Sequence, residues 1–350
     1  MARSSGARKR GQRRAALELA ALAGALLCGI AMVPSPAAAV RFHGFNVVAT
    51  PDHPFGTPQA RRSLFRARKT GANMVAIIPF LWQPDPRSER IQRGNDMQDP
   101  MLRLAIRQAR RAGFHVLVKP HVWIPDSWAG AIRPESESAW EMWFIRYRAE
   151  ILQLAGIAAQ EGADAFAIGT ELKDTTQRPE WKEVIAAVRA VFPRTLLYVA
   201  HNVEEAESVP FWPDLDAIGV SLYPKLGTGG SRESRRAAMR SVAQRLDDLS
   251  IRMGRPVHVA EIGLRSAQGA DEKPWESPEE RMAAPDLGLQ AEVLDDWLAS
   301  LDRPSIEAVL VWRWFTDPAA GGPLDTDFTV QGKPAEGVLF CRWTAACRGL

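Results

Sequence analysis

Eight short apolar runs, separated by segments of helical spacing, constrain this chain more than any other feature. They fall at residues 41–48, 72–82, 115–123, 165–172, 196–202, 217–223, 256–263 and 306–315. Between them, residues 57–70, 100–112, 137–160, 180–191, 232–253 and 287–301 repeat apolar side chains three and four apart, the mark of an amphipathic helix. Repeated strand–helix alternation builds parallel sheet through right-handed crossovers. Eight such units in about 300 residues match one (β/α)8 barrel. A doubly wound open sheet is the rival, but it calls for a glycine-rich phosphate turn after the first strand. His43-Gly44-Phe45-Asn46 is not one. The reading is an α/β chain with a single TIM barrel over about residues 41–335 and a short C-terminal tail, in a domain of 40–350.

Residues 1–39 stand outside this pattern. Arg3, Arg8, Lys9, Arg10, Arg13 and Arg14 form a basic head, an apolar stretch follows from Ala15 to Val33, and Ala37-Ala38-Ala39 offers a small-residue cleavage site. That is the layout of a cleavable signal peptide. Glu18 and Pro34 shorten the apolar run and argue against a retained membrane anchor. Leu27 is too large for a usual lipobox before Cys28, and Arg13-Arg14 lacks the surroundings of a twin-arginine signal. Export by the general route, to the periplasm or beyond, is expected. The leader holds six bases and one acid, so its loss takes the formal charge from +3 to −2. No basic stripe is left to bind nucleic acid. Cys341 and Cys347 then either close a small disulfide loop or stay free thiols.

Two of the runs end in glutamate. Ala165-Phe166-Ala167-Ile168-Gly169-Thr170-Glu171 is the fourth and Val257-His258-Val259-Ala260-Glu261 the seventh. A carboxylate at the tip of a buried strand is costly to desolvate, which marks it for a chemical task. The bland alternative is a buried ion pair or a solvated strand end. Period-two alternation puts Glu171 on the face of Gly169, Ala167 and Ala165, and Tyr223 on that of Ser221, Gly219 and Ala217. Small residues suit a crowded barrel axis. By the same count Trp314 and Trp312 share a face on the eighth run. Paired carboxyl groups serve glycoside hydrolysis, one protonating the leaving oxygen while the other attacks. Twelve tryptophans beside three tyrosines also supply flat faces on which sugar rings stack.

The segments Gly169-Thr170-Glu171-Leu172 and Ala260-Glu261-Ile262-Gly263 resemble the clan of (β/α)8 glycoside hydrolases with an acid/base on strand four and a nucleophile on strand seven. Within that clan the chain is most similar to glycoside hydrolase family 113, whose known activity is largely endo-β-mannanase. Lys119-Pro120-His121-Val122-Trp123 and Val220-Ser221-Leu222-Tyr223-Pro224 are similar too, and the resemblance spans residues 41–317. It implies Glu171 as acid/base, Glu261 as nucleophile and Tyr223 as the hydroxyl that supports the nucleophile. Many clan members carry asparagine just before the acid/base, where it holds the sugar 2-hydroxyl. This chain has Thr170 there, a departure that bears on the configuration preferred at that carbon. The expectation is a monomeric, exported, retaining glycosidase acting on a β-linked polysaccharide or oligosaccharide, mannan-type first and glucan-type second. The competing class is a carbohydrate-binding barrel without turnover.

Further sugar contacts are expected at the mouth. Trp314 is placed as the stacking floor, with Trp312 deeper as core. Lys119, His121 and Asn202 close, or nearly close, strands and offer donors to hydroxyls. For Lys119 the alternative is an ion pair with a strand-end acid. Trp123 and Trp128 are sugar platforms or ordinary loop packing, and His258, of opposite parity to Glu261, is expected to face the helices. The first strand lacks a His-x-His, so neither metal nor cofactor is expected. Serine-esterase and nucleotide chemistry drop out with the absence of a Gly-x-Ser-x-Gly elbow and a Walker loop.

Overall fold

Small side chains facing inward let eight strands close around one axis. In the computed structural model, which describes residues 41–95, 97–226, 231–344 and 346–347, the barrel strands are β1 (Phe42–Val48), β2 (Met74–Ile77), β3 (His115–Val118), β4 (Ala165–Thr170), β5 (Thr195–His201), β6 (Ala217–Leu222), β7 (Val257–Ile262) and β8 (Ile306–Phe315). Each pairs in parallel with its chain neighbours, and β8 returns to β1 to close the ring. The helices are α1 (Pro58–Lys69), α2 (Asp99–Arg111), α3 (Glu137–Gln160), α4 (Trp181–Val191), α5 (Asn202–Ser208), α6 (Arg232–Met253), α7 (Leu287–Ser300) and α8 (Pro334–Thr344). One helix follows each strand, so the architecture is a (β/α)8 TIM barrel.

The helix starts are written locally. Thr57 accepts the Ala60 N–H at 3.1 Å with Pro58 in the first turn of α1, and Ser136, Ser231 and Asp286 cap α3, α6 and α7 in the same way. Two apolar layers result. Ala165, Ala167, Leu197, Val199, Ala217 and Leu310 belong to a cluster filling the barrel axis. A larger cluster lies between strands and helices and holds the fully buried Trp143, Trp181, Trp212, Trp297 and Trp314. Crowding at the axis is severe at Gly219, where a Cβ would run into the Tyr198 carbonyl.

The second and third apolar runs do not continue as single strands. Pro79 and Pro120 lack the N–H that a ladder needs, and beyond them the chain leaves the barrel. Phe80–Trp82 and His121–Trp123 then pair in parallel above the barrel, with Gln92–Arg93 antiparallel at the edge. The C-terminal tail is also a correction: it forms α8, packed on α7, and Cys341 at its end is disulfide-bonded to Cys347. The expected signal peptide lies outside the described residues. Among the described residues no helix is long and apolar enough to cross a membrane.

Alternation along the strands is interrupted where it matters. In β4, Ala167 pairs with Leu197 but Thr170 with Val199, so one extra residue is accommodated. Gly169 therefore turns outward, where a Cβ would meet Tyr147 of α3 and Trp181 of α4. In β7, Val259 pairs with Val220 and Glu261 with Ser221. In β8, Asn46 pairs with Trp312 and Val47 with Trp314, which leaves Arg313 out of the ladder; the Trp312–Arg313 peptide is cis.

Candidate active site

At the C-terminal mouth of the barrel these breaks bring two glutamates together. Glu261 ends β7 and is only 4% exposed. The Lys119 ammonium, just past β3 and wholly buried, pairs with its Oε1, and His121 Nε2 lies 3.2 Å from the same oxygen. Tyr223 at the end of β6 donates its hydroxyl to Oε2 at 3.0 Å. Burial is the largest influence on the Glu261 carboxyl and pushes its pKa up. The Lys119 charge and the His121 contact outweigh it and hold the pKa down at about 2. Burial likewise lowers the Lys119 pKa against the pull of Glu261 and Glu171. Tyr223 is raised well above its ordinary value by burial and by the nearby carboxylates, so it remains a donor.

Glu171 follows β4 in the left-handed region, at φ 55°, an uncommon conformation for a side chain of this type. Trp128 Nε1 donates to Glu171 Oε2 at 3.0 Å, and His201 Nδ1 lies 3.2 Å from Oε1. Burial again pushes the carboxyl upward, but the His201 contact and charge, aided by Trp128, carry its pKa below the ordinary value. Glu261 acts on it in the upward direction, so the two carboxylates share one electrostatic field.

Asn202 packs against that histidine, whose pKa burial pushes down but the Glu171 contact and charge carry above its ordinary value. Its Oδ1 accepts the Tyr223 backbone N–H at 2.7 Å, so its amide nitrogen is the group facing His201 Nε2 at 3.0 Å. The side chain of Asn202, expected to reach substrate, is thus engaged within the protein and braces the ends of β5 and β6.

Trp314 requires correction. Bulging at Arg313 reverses the alternation, and Trp314 points away from the axis into the α1 layer, wholly buried, with its Nε1 donating to Ser63 Oγ at 2.8 Å. It packs on Phe45 at 4.7 Å between ring centroids. A residue so enclosed has no face for a sugar. Trp312, read as core, is the residue at the mouth: its ring stacks on His121 at 5.9 Å and lies 5.6 Å from Lys119 Nζ. Arg313 braces it from the other side, 5.8 Å from the Trp312 ring and bonded to Asp327 at 3.0 Å.

His258 also differs from expectation. Its chain neighbours Val257 and Val259 pack in the helix-facing layer, and its Nε2 lies 2.9 Å from Glu307 Oε2 at the opposite end of β7 from Glu261. Trp123 sits on the small upper sheet, 52% exposed, 6.1 Å from the exposed ring of Trp82. Thr170, noted in the sequence for replacing asparagine, forms with Asn46 and Ser221 a buried polar rim that the sequence did not reveal: Asn46 Oδ1, Thr170 Oγ1 and Ser221 Oγ have no hydrogen-bond partner among the described residues. Asn46 binds the Ala260 carbonyl at 2.8 Å, next to Glu261. Among the described residues no group of three or more His, Cys, Asp or Glu side chains is placed to hold a metal ion.

Known proteins share this arrangement of strands. The family model for Glycoside Hydrolase Family 113 matches residues 44–333. The solved GH113 β-mannanase AaManA from Alicyclobacillus acidocaldarius, in complex with ManMIm, is similar with a TM-score of 0.76 at 25% identity over 87% of this chain and 96% of that one. A GH113 β-1,4-mannanase complex gives the same TM-score at 22% identity, over 87% of this chain and 98% of that one. A β-glucuronidase from Ruminococcus gnavus shares the fold at 16% identity and a TM-score of 0.59, over 87% of this chain and 50% of that one. No curated protein matches the chain. The chain belongs to glycoside hydrolase family 113 and is a glycosidase.

Proposed function

We propose that the protein is an exported, retaining β-mannanase that hydrolyses β-linked mannan-type chains by double displacement, with Glu261 as nucleophile and Glu171 as acid/base. The observation that carries this reading is the setting of Glu261. A carboxylate that must attack an anomeric carbon has to be ionised and stripped of water. Glu261 is nearly closed to solvent, Lys119 offers its counter-charge, and His121 and Tyr223 contact its two oxygens.

Glu171 faces the opposite need. Two neighbours, the Trp128 indole N–H and the His201 ring, favour its ionised form. A sugar filling the mouth removes the remaining water and strengthens the upward push of burial, so proton uptake accompanies binding. The proton then passes from Glu171 to the leaving oxygen as the Glu261–carbon bond forms. Once Glu171 is ionised again, it draws a proton from the water that releases the sugar from Glu261, and the configuration at the anomeric carbon is retained. Trp312 offers the apolar face at the cleavage point, and Trp123 with Trp82 offers further faces away from it.

The mannan assignment draws on the solved GH113 β-mannanases, and the export assignment on the leader at residues 1–39. The test is a screen of the chain from residue 40 on mannan, glucan and xylan, with the first-formed product anomer read by NMR. Cleavage of mannan with initial release of the β-anomer is expected. No cleavage of any of the three would favour a binding barrel instead.

A further inference from the structure

Glu171 adopts its left-handed backbone between two hydrogen bonds that both reach β5. Its own N–H donates to the Val199 carbonyl at 2.7 Å, and the next N–H, of Leu172, donates to the Tyr198 hydroxyl at 2.7 Å. A hydroxyl has one proton, and its direction decides which side presents a lone pair. Tyr198 gives that proton to Glu205 Oε1 at 2.6 Å, which leaves its lone pairs toward Leu172. The second oxygen of Glu205 accepts the His201 N–H at 2.7 Å. One buried carboxylate therefore holds the backbone on both sides of the Glu171–His201 contact.

Nothing about packing asks for a carboxylate there. Glu205 is 1% exposed on the inner side of α5, beneath Tyr198, whose ring meets that of Trp212 at a tilt, 6.2 Å between centroids. Its neighbours Glu204 and Glu207 are paired with Arg245 of α6 on the other side of the helix. An apolar residue would fill the site without the cost of burying charge. We propose that Glu205 is a positioning residue for the acid/base: by orienting the Tyr198 hydroxyl, it fixes the turn that aims Glu171 into the barrel. This rests on Glu171 being the acid/base. Burial pushes the Glu205 pKa up to about 7, which is the expense of keeping an acceptor at this point.

The role has a kinetic signature. A loosened acid should cost most when the leaving group needs a proton, and little when it does not. The test compares kcat/KM on mannohexaose with kcat/KM on a dinitrophenyl β-mannobioside, whose leaving group departs unaided. In Tyr198→Phe, which keeps the ring packing, and in Glu205→Leu, the first should fall by about 30-fold and the second by less than about 3-fold. Glu205→Gln retains one acceptor and should recover much of the loss. Glu171→Gln serves as the reference for full loss of acid assistance. If it shows the split and Tyr198→Phe does not, the positioning role is overturned while the site assignment stands. If Glu171→Gln shows no split, the site assignment itself falls. Equal losses on both substrates in Tyr198→Phe, with a lower Tm, would reduce the Tyr198–Glu205 pair to a structural element.

Discussion

Tyr223 donates its hydroxyl to Glu261 at 3.0 Å, while Asn202 pins the Tyr223 backbone N–H at 2.7 Å. A hydrogen bond to a charged group is worth about 1.5–3 kcal/mol. Tyr223→Phe should therefore lower kcat/KM by about 10- to 100-fold, since it deprives the Glu261 carboxylate of a fixed donor. The ring and its packing remain, so the Tm should move little. A fall in Tm with unchanged kinetics would place Tyr223 in the core instead.

Trp312 and Trp314 make a matched pair of probes. Trp314→Ala removes a wholly buried indole and should cost about 3–5 kcal/mol of stability. Thermal melting measures this, and the folded fraction should keep its kcat/KM. Trp312→Ala should do the reverse, lowering kcat/KM on mannan oligomers with a smaller change in Tm. Exchange of these two outcomes would restore the face assignment that simple alternation suggests.

That exchange shows where the sequence stops being legible. Period two reads correctly along β6, where Ala217, Gly219 and Ser221 face the axis while Ile218, Val220 and Leu222 pack toward the helices. It fails at β8 because the residue left out of the ladder at Arg313 carries no marker in the local composition. The same limit hides the extra residue in β4 and the one in β7 that upsets the parity between His258 and Glu261. The fold was readable because eight alternations survive a few local irregularities. Glu171, Glu261, Tyr223, Lys119 and His121 were readable as strand-end polar residues, and the structure gathers them at one mouth. Glu205 was not, since a glutamate in an acidic helix segment looks like any solvated residue until Tyr198 is placed over it.

Lys119 links charge to pH. The Glu261 pKa is lowered from 4.5 to about 2, so its ionised form persists far into acid. The stability it contributes is present above pH 4.5 and is lost as pH falls through about 2. Lys119→Met removes the counter-charge and leaves burial unopposed, which raises the Glu261 pKa. The acidic limb of kcat/KM should move up by about one pH unit or more. The Tm at neutral pH should fall as well, because a buried carboxylate loses its partner. An unmoved acidic limb would mean that Lys119 does not govern the charge of Glu261.

Trp123 tests the reach of the binding surface. It is exposed, neighbours Trp82, and stands on the sheet that also carries His121. Trp123→Ala should raise KM for mannohexaose several-fold, within the roughly 1–3 kcal/mol range of a lost stacking contact seen for other flat ligands. Mannobioside substrates, too short to reach it, should be unaffected. Equal effects on long and short substrates would move Trp123 next to the cleavage point.

Double displacement requires a covalent bond between Glu261 and the sugar. Incubation with an activated 2-fluoro β-mannoside should add one sugar mass to the protein, and peptide mapping should place it on the segment containing Glu261. The Glu261→Ala variant should remain unlabelled. A label on Glu171, or no adduct alongside rapid turnover and an inverted product, would rule out Glu261 as the nucleophile.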